Sequence, residues 1–409
     1  MTHTSSSQNV RLSMRLGLIL GIAAFLASCG GGSTTTVPPT RTTPVNNTVS
    51  VAVNAGPDSL GAVDELFTTV TICVPGTSNC QTIPYVTVDT GSEGFRVLSS
   101  VLSLSLPQEM SAAGNPLGSC IAFADNSYVW GPVVTADIEI AGEKASSVPI
   151  QVIGAASFPG VPASCNTGGQ ADDTVLTLGG NAMIGVGVFQ QDCGSACAAA
   201  VSEVPDVYYS CPSTGCSLAS VSLADQIQNP VWKFAQDNNG LEITLPTVPA
   251  TGSVTVSGSM IFGIGTQSDN ALGSAQVYTT DDYGNFSTTF NGNTYSSSYL
   301  DTGSNGLFFL DSTTVGIPDC SDAAGFYCPA STQSYTATNT GVNGASGSVS
   351  FSIANADSLF NTANSAFDDL GGDNAGAFDW GLPFFFGRTV FVAIQNQTTP
   401  AGDGPYWAY

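Results

Sequence analysis

An all-β protein built as two related halves is the fold this sequence predicts, on three observations. Its 46 glycines and 22 prolines, with only 9% charged residues, favour short strands joined by tight turns over helices. Its 409 residues suit two medium-sized cores better than one. The tetrapeptide Asp-Thr-Gly-Ser occurs twice, at 89–92 and 301–304, in flanks that match in register: Asp89-Thr-Gly-Ser-Glu-Gly-Phe-Arg-Val-Leu-Ser-Ser100 against Asp301-Thr-Gly-Ser-Asn-Gly-Leu-Phe-Phe-Leu-Asp-Ser312. A repeat of that kind implies duplicated structure.

From the N-terminus, Arg11 and Arg15 precede an apolar run, Leu16 to Ala27, too short to span a bilayer as a stable helix, which is the pattern of an export signal. Leu26-Ala27-Ser28-Cys29 resembles a bacterial lipobox, which implies a signal peptide over 1–28, lipidation of Cys29 and attachment to the cell envelope at the outer membrane. An ordinary cleaved signal with a chance cysteine is the other reading. Residues 29–47, rich in Gly, Thr and Pro, read as a flexible tether, with the first strand expected near Leu66 and no propeptide before it. The halves are placed at 48–235 and 236–409.

Setting Cys29 apart leaves ten cysteines in an exported chain, an even number that points to disulfides. Pairing by proximity gives Cys73/Cys80, Cys193/Cys197, Cys211/Cys216 and Cys320/Cys328, with Cys120/Cys165 as the remainder. Zinc bound by Cys193, Cys197, Cys211 and Cys216 is the alternative. The segment 190–222, rich in Cys and Ala, reads as a disulfide-bound insertion.

The chemistry narrows by exclusion. A formal charge of −24 repels phosphate backbones, so nucleic acid is not an expected partner. The only histidine is His3, in the export signal, which leaves no Ser-His-Asp or Cys-His catalysis and no histidine metal site in the mature chain. No nucleotide-binding glycine motif is present, and no cofactor or metal is expected. Lys144 and Lys233 are available for a Ser-Lys dyad but sit in stretches that read as solvated turn or strand edge. Asp368, Asp369 and Asp373 form an acidic Gly-rich loop, read as a solvated turn, with calcium as the alternative. Carboxylates remain as the catalytic groups.

Each aspartate follows an extended run (Tyr85-Val-Thr-Val88; Tyr299-Leu300) and precedes another, which places it on a turn between strands. Gly91 and Gly303 let the backbone approach a carboxylate, Ser92 and Ser304 can donate to it, and Thr90 and Thr302 can lock the two turns together. Two carboxyls in contact cannot both ionise, so Asp89 and Asp301 are expected to share a proton, one activating a water while the other hydrogen-bonds a carbonyl.

Beyond the turns, Met183-Ile184-Gly185 and Trp380-Gly381-Leu382 resemble the hydrophobic-glycine element that follows each catalytic turn in pepsin-like aspartic peptidases. Gly258-Ser-Met-Ile-Phe-Gly263 and Leu382 to Phe391 are similar to further segments of that family, in the same order. The resemblance covers most of Leu66 to the C-terminus. It implies a bilobal pepsin-like double β-barrel with a central cleft and a few short helices, acting as a monomer on a peptide or protein substrate. Phe123-Ala-Asp-Asn-Ser-Tyr-Val-Trp-Gly131 resembles the substrate-covering flap, which makes Phe123, Asp125, Ser127, Tyr128 and Trp130 candidate cleft residues. Two positions depart from the family. Phe123 stands where the flap tyrosine is usual, with Tyr128 or Trp130 as substitutes, and Arg96 stands where a tryptophan is usual. These departures support the alternative function of a pepsin-like binding module that holds a ligand without cleaving it.

Overall fold

A computed structural model describes residues 46–166 and 168–409; the signal, the lipobox with Cys29, and the tether up to residue 45 lie outside the described residues. The fold is all-β. Fifteen strands form one continuous sheet system and seven form another, and the α-helices, Val175–Leu178, Ser312–Val315 and Ala356–Phe360, are single turns. Short helices follow from the sequence: Thr174, Asp311 and Asn355 cap their starts by accepting a backbone N–H, and Gly179 and Gly316 stop two of them in the left-handed region.

The first strand comes earlier than the composition suggests. Thr48–Val53 is a strand, and Asn47 before it is already buried, its amide donating to the Phe262 carbonyl at 3.0 Å. This β-branched segment pairs antiparallel with Val256–Phe262 and with Leu66–Cys73, so it joins chain regions more than 200 residues apart. The sheet does not break at residue 235 either. Gly240–Thr244, Val256–Phe262, Val277–Thr279, Thr389–Ala393 and Tyr406–Ala408, all from the second half, continue the sheet of the first.

Both Asp-Thr-Gly-Ser turns are built the same way. Cys80–Asp89 leads into the first turn and Glu93–Leu98 leaves it, and Ala182–Val186 lies between them, parallel to one and antiparallel to the other. In the second half Asn293–Leu300 leads in, Leu307–Leu310 leads out, and Asn374–Trp380 takes the intermediate place with the same two orientations. The sequence repeat is thus a repeat of strand pairing.

All five expected cysteine pairs, the four adjacent ones and Cys120/Cys165, are disulfides. Cys193 is bonded to Cys197 and Cys211 to Cys216, so the zinc alternative fails for want of thiolates. Cys120–Cys165 closes the longest loop, 45 residues, and anchors a small core with Tyr128, Trp130 and Tyr209.

Candidate active site

Four hydrogen bonds between threonines and backbone hold the two turns together. Thr90 N–H donates to Thr302 Oγ1 at 3.1 Å and Thr302 N–H to Thr90 Oγ1 at 3.0 Å. The Thr90 hydroxyl donates to the Leu300 carbonyl at 3.1 Å and the Thr302 hydroxyl to the Val88 carbonyl at 2.6 Å. Both threonines are buried, so breaking any of these bonds strands a polar group away from water.

The carboxyls are held by their own turns. Asp89 Oδ1 accepts from Gly91 N–H at 2.8 Å and its Oδ2 from the Ser92 hydroxyl; Asp301 Oδ1 accepts from Gly303 N–H at 2.7 Å and its Oδ2 from the Ser304 hydroxyl at 2.9 Å. The glycines are required by proximity. A Cβ on Gly91 would lie 2.5 Å from Asp301 Cγ, and one on Gly303 would lie 2.8 Å from Asp89 Cγ. Each carboxyl therefore sits over the opposite turn, and the two share a hydrogen bond. Two carboxyl oxygens in such contact need a proton between them. Burial, together with the facing Asp89, pushes Asp301 well above the ordinary carboxylate range.

Two residues that the sequence reading did not single out complete the surroundings. Asp379, on Asn374–Trp380, has its Oδ2 2.6 Å from the Ser304 hydroxyl oxygen, and burial pushes its carboxyl up to about 8. Glu93, the residue after Ser92, accepts from Phe189 N–H at 3.1 Å and is also pushed up to about 8, first by burial and then, as a further upward push, by Asp89 and Asp192.

Arg96 does not face a cleft. It is 1% exposed, its Nη2 pairs with Asp192 Oδ2 at 3.1 Å and its Nη1 donates to the Glu93 carbonyl at 2.7 Å. Asp192 belongs to the disulfide-bound insertion, as does Tyr208, whose hydroxyl donates to Asp192 Oδ1 at 2.6 Å. The departure at position 96 and the insertion are thus one feature: a buried cation and the segment that neutralises it.

The flap candidate is a hairpin of Leu117–Ala122 and Tyr128–Ile140, closed by Phe123 N–H donating to the Ser127 carbonyl at 2.8 Å and Ser127 N–H to Asp125 Oδ1 at 2.8 Å. Phe123 packs on the cluster of Leu98, Val129 and Ile153, whereas Tyr128 and Trp130 are buried in the cluster around Cys120–Cys165. Trp130 Nε1–H is used on the Pro159 carbonyl at 2.9 Å. The two aromatic residues offered as substitutes for a flap tyrosine are therefore core residues.

A cavity of about 650 Å³ adjoins the second turn at Asn305. Leu60, Val63, Leu176, Phe326 and Phe360 give it apolar walls, and Glu65 is its only ionisable lining residue. Burial, then the charge of Asp89, pushes Glu65 up to about 8. The lysines are elsewhere: Lys144 pairs with Asp137 at 2.9 Å and Glu139 at 3.1 Å, and Lys233 lies over the Trp232 ring, so neither serves a serine nucleophile. Asp368 and Asp369 stand with Arg388 on the wall of a second cavity.

The accumulation of raised carboxyls has a consequence for stability. Glu93 and Asp379 are held near 8 and Glu143 and Glu242 near 7, mainly by burial, whereas in the unfolded chain such groups titrate near 4. Below that ordinary range both states are protonated and the fold bears no charge cost; as pH rises through the folded values, each carboxylate must be ionised in a buried place, or hold a proton the unfolded chain has released. Thermal unfolding across pH should accordingly give its highest midpoint in mildly acid buffer and a falling midpoint between about pH 5 and about pH 8. A midpoint that rises over that interval would contradict the burial of these groups.

Fold and site define a class: an all-β protein in which two like-built Asp-Thr-Gly-Ser turns bring a pair of carboxyls into contact. The chain belongs to the family described as "Protein of unknown function (DUF3443)", whose model matches residues 43–409. No curated protein matches it in sequence. Among solved structures it is similar to the aspartic proteinase from Irpex lacteus, at 14% identity and a TM-score of 0.48, over 88% of this chain and 96% of that one.

Proposed function

We propose that this protein is an aspartic endopeptidase, in which a water held between Asp89 and Asp301 attacks the peptide carbonyl while the protonated partner hydrogen-bonds its oxygen. The observation that carries the reading is the shared hydrogen bond between the two carboxyls, each fixed by a glycine N–H and a serine hydroxyl. A pair holding one proton contains both a base and an acid at the same place, which is what addition of water to an amide needs. The apolar walls of the adjoining cavity, Leu60, Val63, Leu176, Phe326 and Phe360, suit a hydrophobic peptide side chain. The sequence pattern at Cys29 supports a lipid anchor in the outer membrane, and a monomer acting from the cell envelope on peptides or proteins is the form we propose.

The test is cleavage of a peptide library by protein beginning after Cys29, from about pH 3 to about pH 7, with and without a transition-state-type aspartic protease inhibitor. Inhibitor-sensitive cleavage on the acid side is expected. Phe123, which has no hydroxyl at the flap position, favours the second reading, a binding module. Ligand binding without turnover at any pH, unaffected by Asp89→Asn, is the outcome that would select it.

A further inference from the structure

The two halves of the site are built alike, and they differ at one position that bears on proton chemistry. Met183 pairs with Thr87, two residues before Asp89, and with Arg96, seven after it. Asp379 pairs with Tyr299, two residues before Asp301, and with Phe308, seven after it. Asp379 thus occupies in the second half the place of Met183 in the first. In the first half the Ser92 hydroxyl contacts Asp89 and, at 3.7 Å, the Met183 sulfur. In the second half the Ser304 hydroxyl lies 2.9 Å from Asp301 Oδ2 and 2.6 Å from Asp379 Oδ2.

A hydroxyl has one hydrogen. Ser304 can donate to only one of these two carboxyl oxygens, and the other contact requires a hydrogen on the carboxyl. The contact between Asp89 and Asp301 requires another. Three carboxyls therefore hold two protons. The groups around Asp379 favour its neutral form. Burial comes first, the negative charges of Asp89 and Asp301 face it, Phe308 beside it is apolar, and among the described residues no cation lies beside it; these outweigh the hydrogen bonds from Ser304 and the Tyr299 phenol, which favour the charged form.

We propose that Asp379 is a third carboxyl of the active site, a positioning residue that shares a proton with Asp301 through Ser304 and so keeps the Asp89–Asp301 pair singly protonated towards neutral pH. The relay is balanced: the proton leaves Asp379 Oδ2 for Ser304 Oγ as the Ser304 proton passes to Asp301 Oδ2, with no other bond changed. Once Asp379 has ionised, losing the last proton of the pair would add negative charge beside a carboxylate that no cation offsets, so the pair holds that proton to higher pH. This inference rests on reading the pair as hydrolytic.

The experiment compares kcat/KM across pH for the wild type, Asp379→Asn, which keeps size and hydrogen bonding, and Asp379→Met, which copies the first half. Both variants should lose the alkaline side of the profile about one pH unit earlier, a loss of about tenfold near pH 7, with a much smaller loss at the acid optimum. Alkaline limbs that coincide in all three proteins overturn the proposal, as does a loss uniform across pH that tracks a lowered unfolding midpoint. A readout independent of turnover separates this inference from the peptidase reading. In infrared titration, the wild type should show one more protonated carboxyl near pH 7 than Asp379→Asn. An absent difference overturns the proposal, whereas a wild type that cleaves nothing overturns the peptidase reading alone.

Discussion

Asp89→Asn and Asp301→Asn are each expected to lower peptide cleavage by about 10³-fold, because either change removes one of the two oxygens between which a proton must move. The amide keeps the shape of the carboxyl: its oxygen still accepts from Gly91 N–H or Gly303 N–H, and its NH2 donates to the Ser92 or Ser304 hydroxyl oxygen where the carboxylate accepted, so the turns should stay in place. It cannot take up a proton from water or share one with its neighbour. The same substitutions remove one potential negative charge from a site that also contains Glu93 and Asp379, with Glu65 within reach of Asp89. The unfolding midpoint near neutral pH should therefore be no lower than in the wild type. Lost turnover with an undiminished midpoint identifies a chemical role. Retained turnover in either variant sinks the assignment of the pair, and a fall in both together points to a structural one.

The site was legible in the sequence wherever its chemistry is local. Asp89 and Asp301 are marked by glycine and hydroxyl residues within three positions, since those are the groups that hold each carboxyl. The cysteine pairs were legible for the same reason in four cases, and the fifth followed as the remainder. What the sequence conceals depends on distant partners. Thr48–Val53 does not stand out as a strand ahead of Leu66 because its main partner, Val256–Phe262, lies two hundred residues on. Asp379 is hidden because Trp380-Gly381-Leu382 by itself fits the hydrophobic-glycine pattern, whereas in strand register it is Asp379-Trp-Gly that matches Met183-Ile-Gly, with a carboxyl behind Ser304. Glu93 was visible only as a flank of the repeat. Its burial depends on Phe189 and Asp192, about a hundred residues away.

Arg96 shows how far such a partner alters the meaning of a residue, and it carries the largest expected effect on stability. Arg96 and Asp192 are both almost fully buried, and the Tyr208 hydroxyl, which accepts from Ile227 N–H at 2.7 Å while donating to Asp192, completes the arrangement. Taking both charges out of water is expensive, so the pair itself adds little net stability; removing one partner leaves the other charge buried and unpaired. Arg96→Met should cost about 3–5 kcal/mol in urea unfolding, because Asp192 is then left with Tyr208 alone. Part of that cost should disappear at lower pH, since burial, opposed by Arg96, already places Asp192 at about 6, and without the guanidinium it should protonate more readily. The double variant Arg96→Met/Asp192→Asn should recover much of the loss, as the buried charge is gone and the amide can still accept from Tyr208. Two single variants whose costs simply add in the double would show that the pair is not coupled. Recovery in the double variant would instead make the insertion a cover for a buried ion pair at the back of the first turn, with Arg96 Nη1 holding the Glu93 carbonyl one residue beyond Ser92.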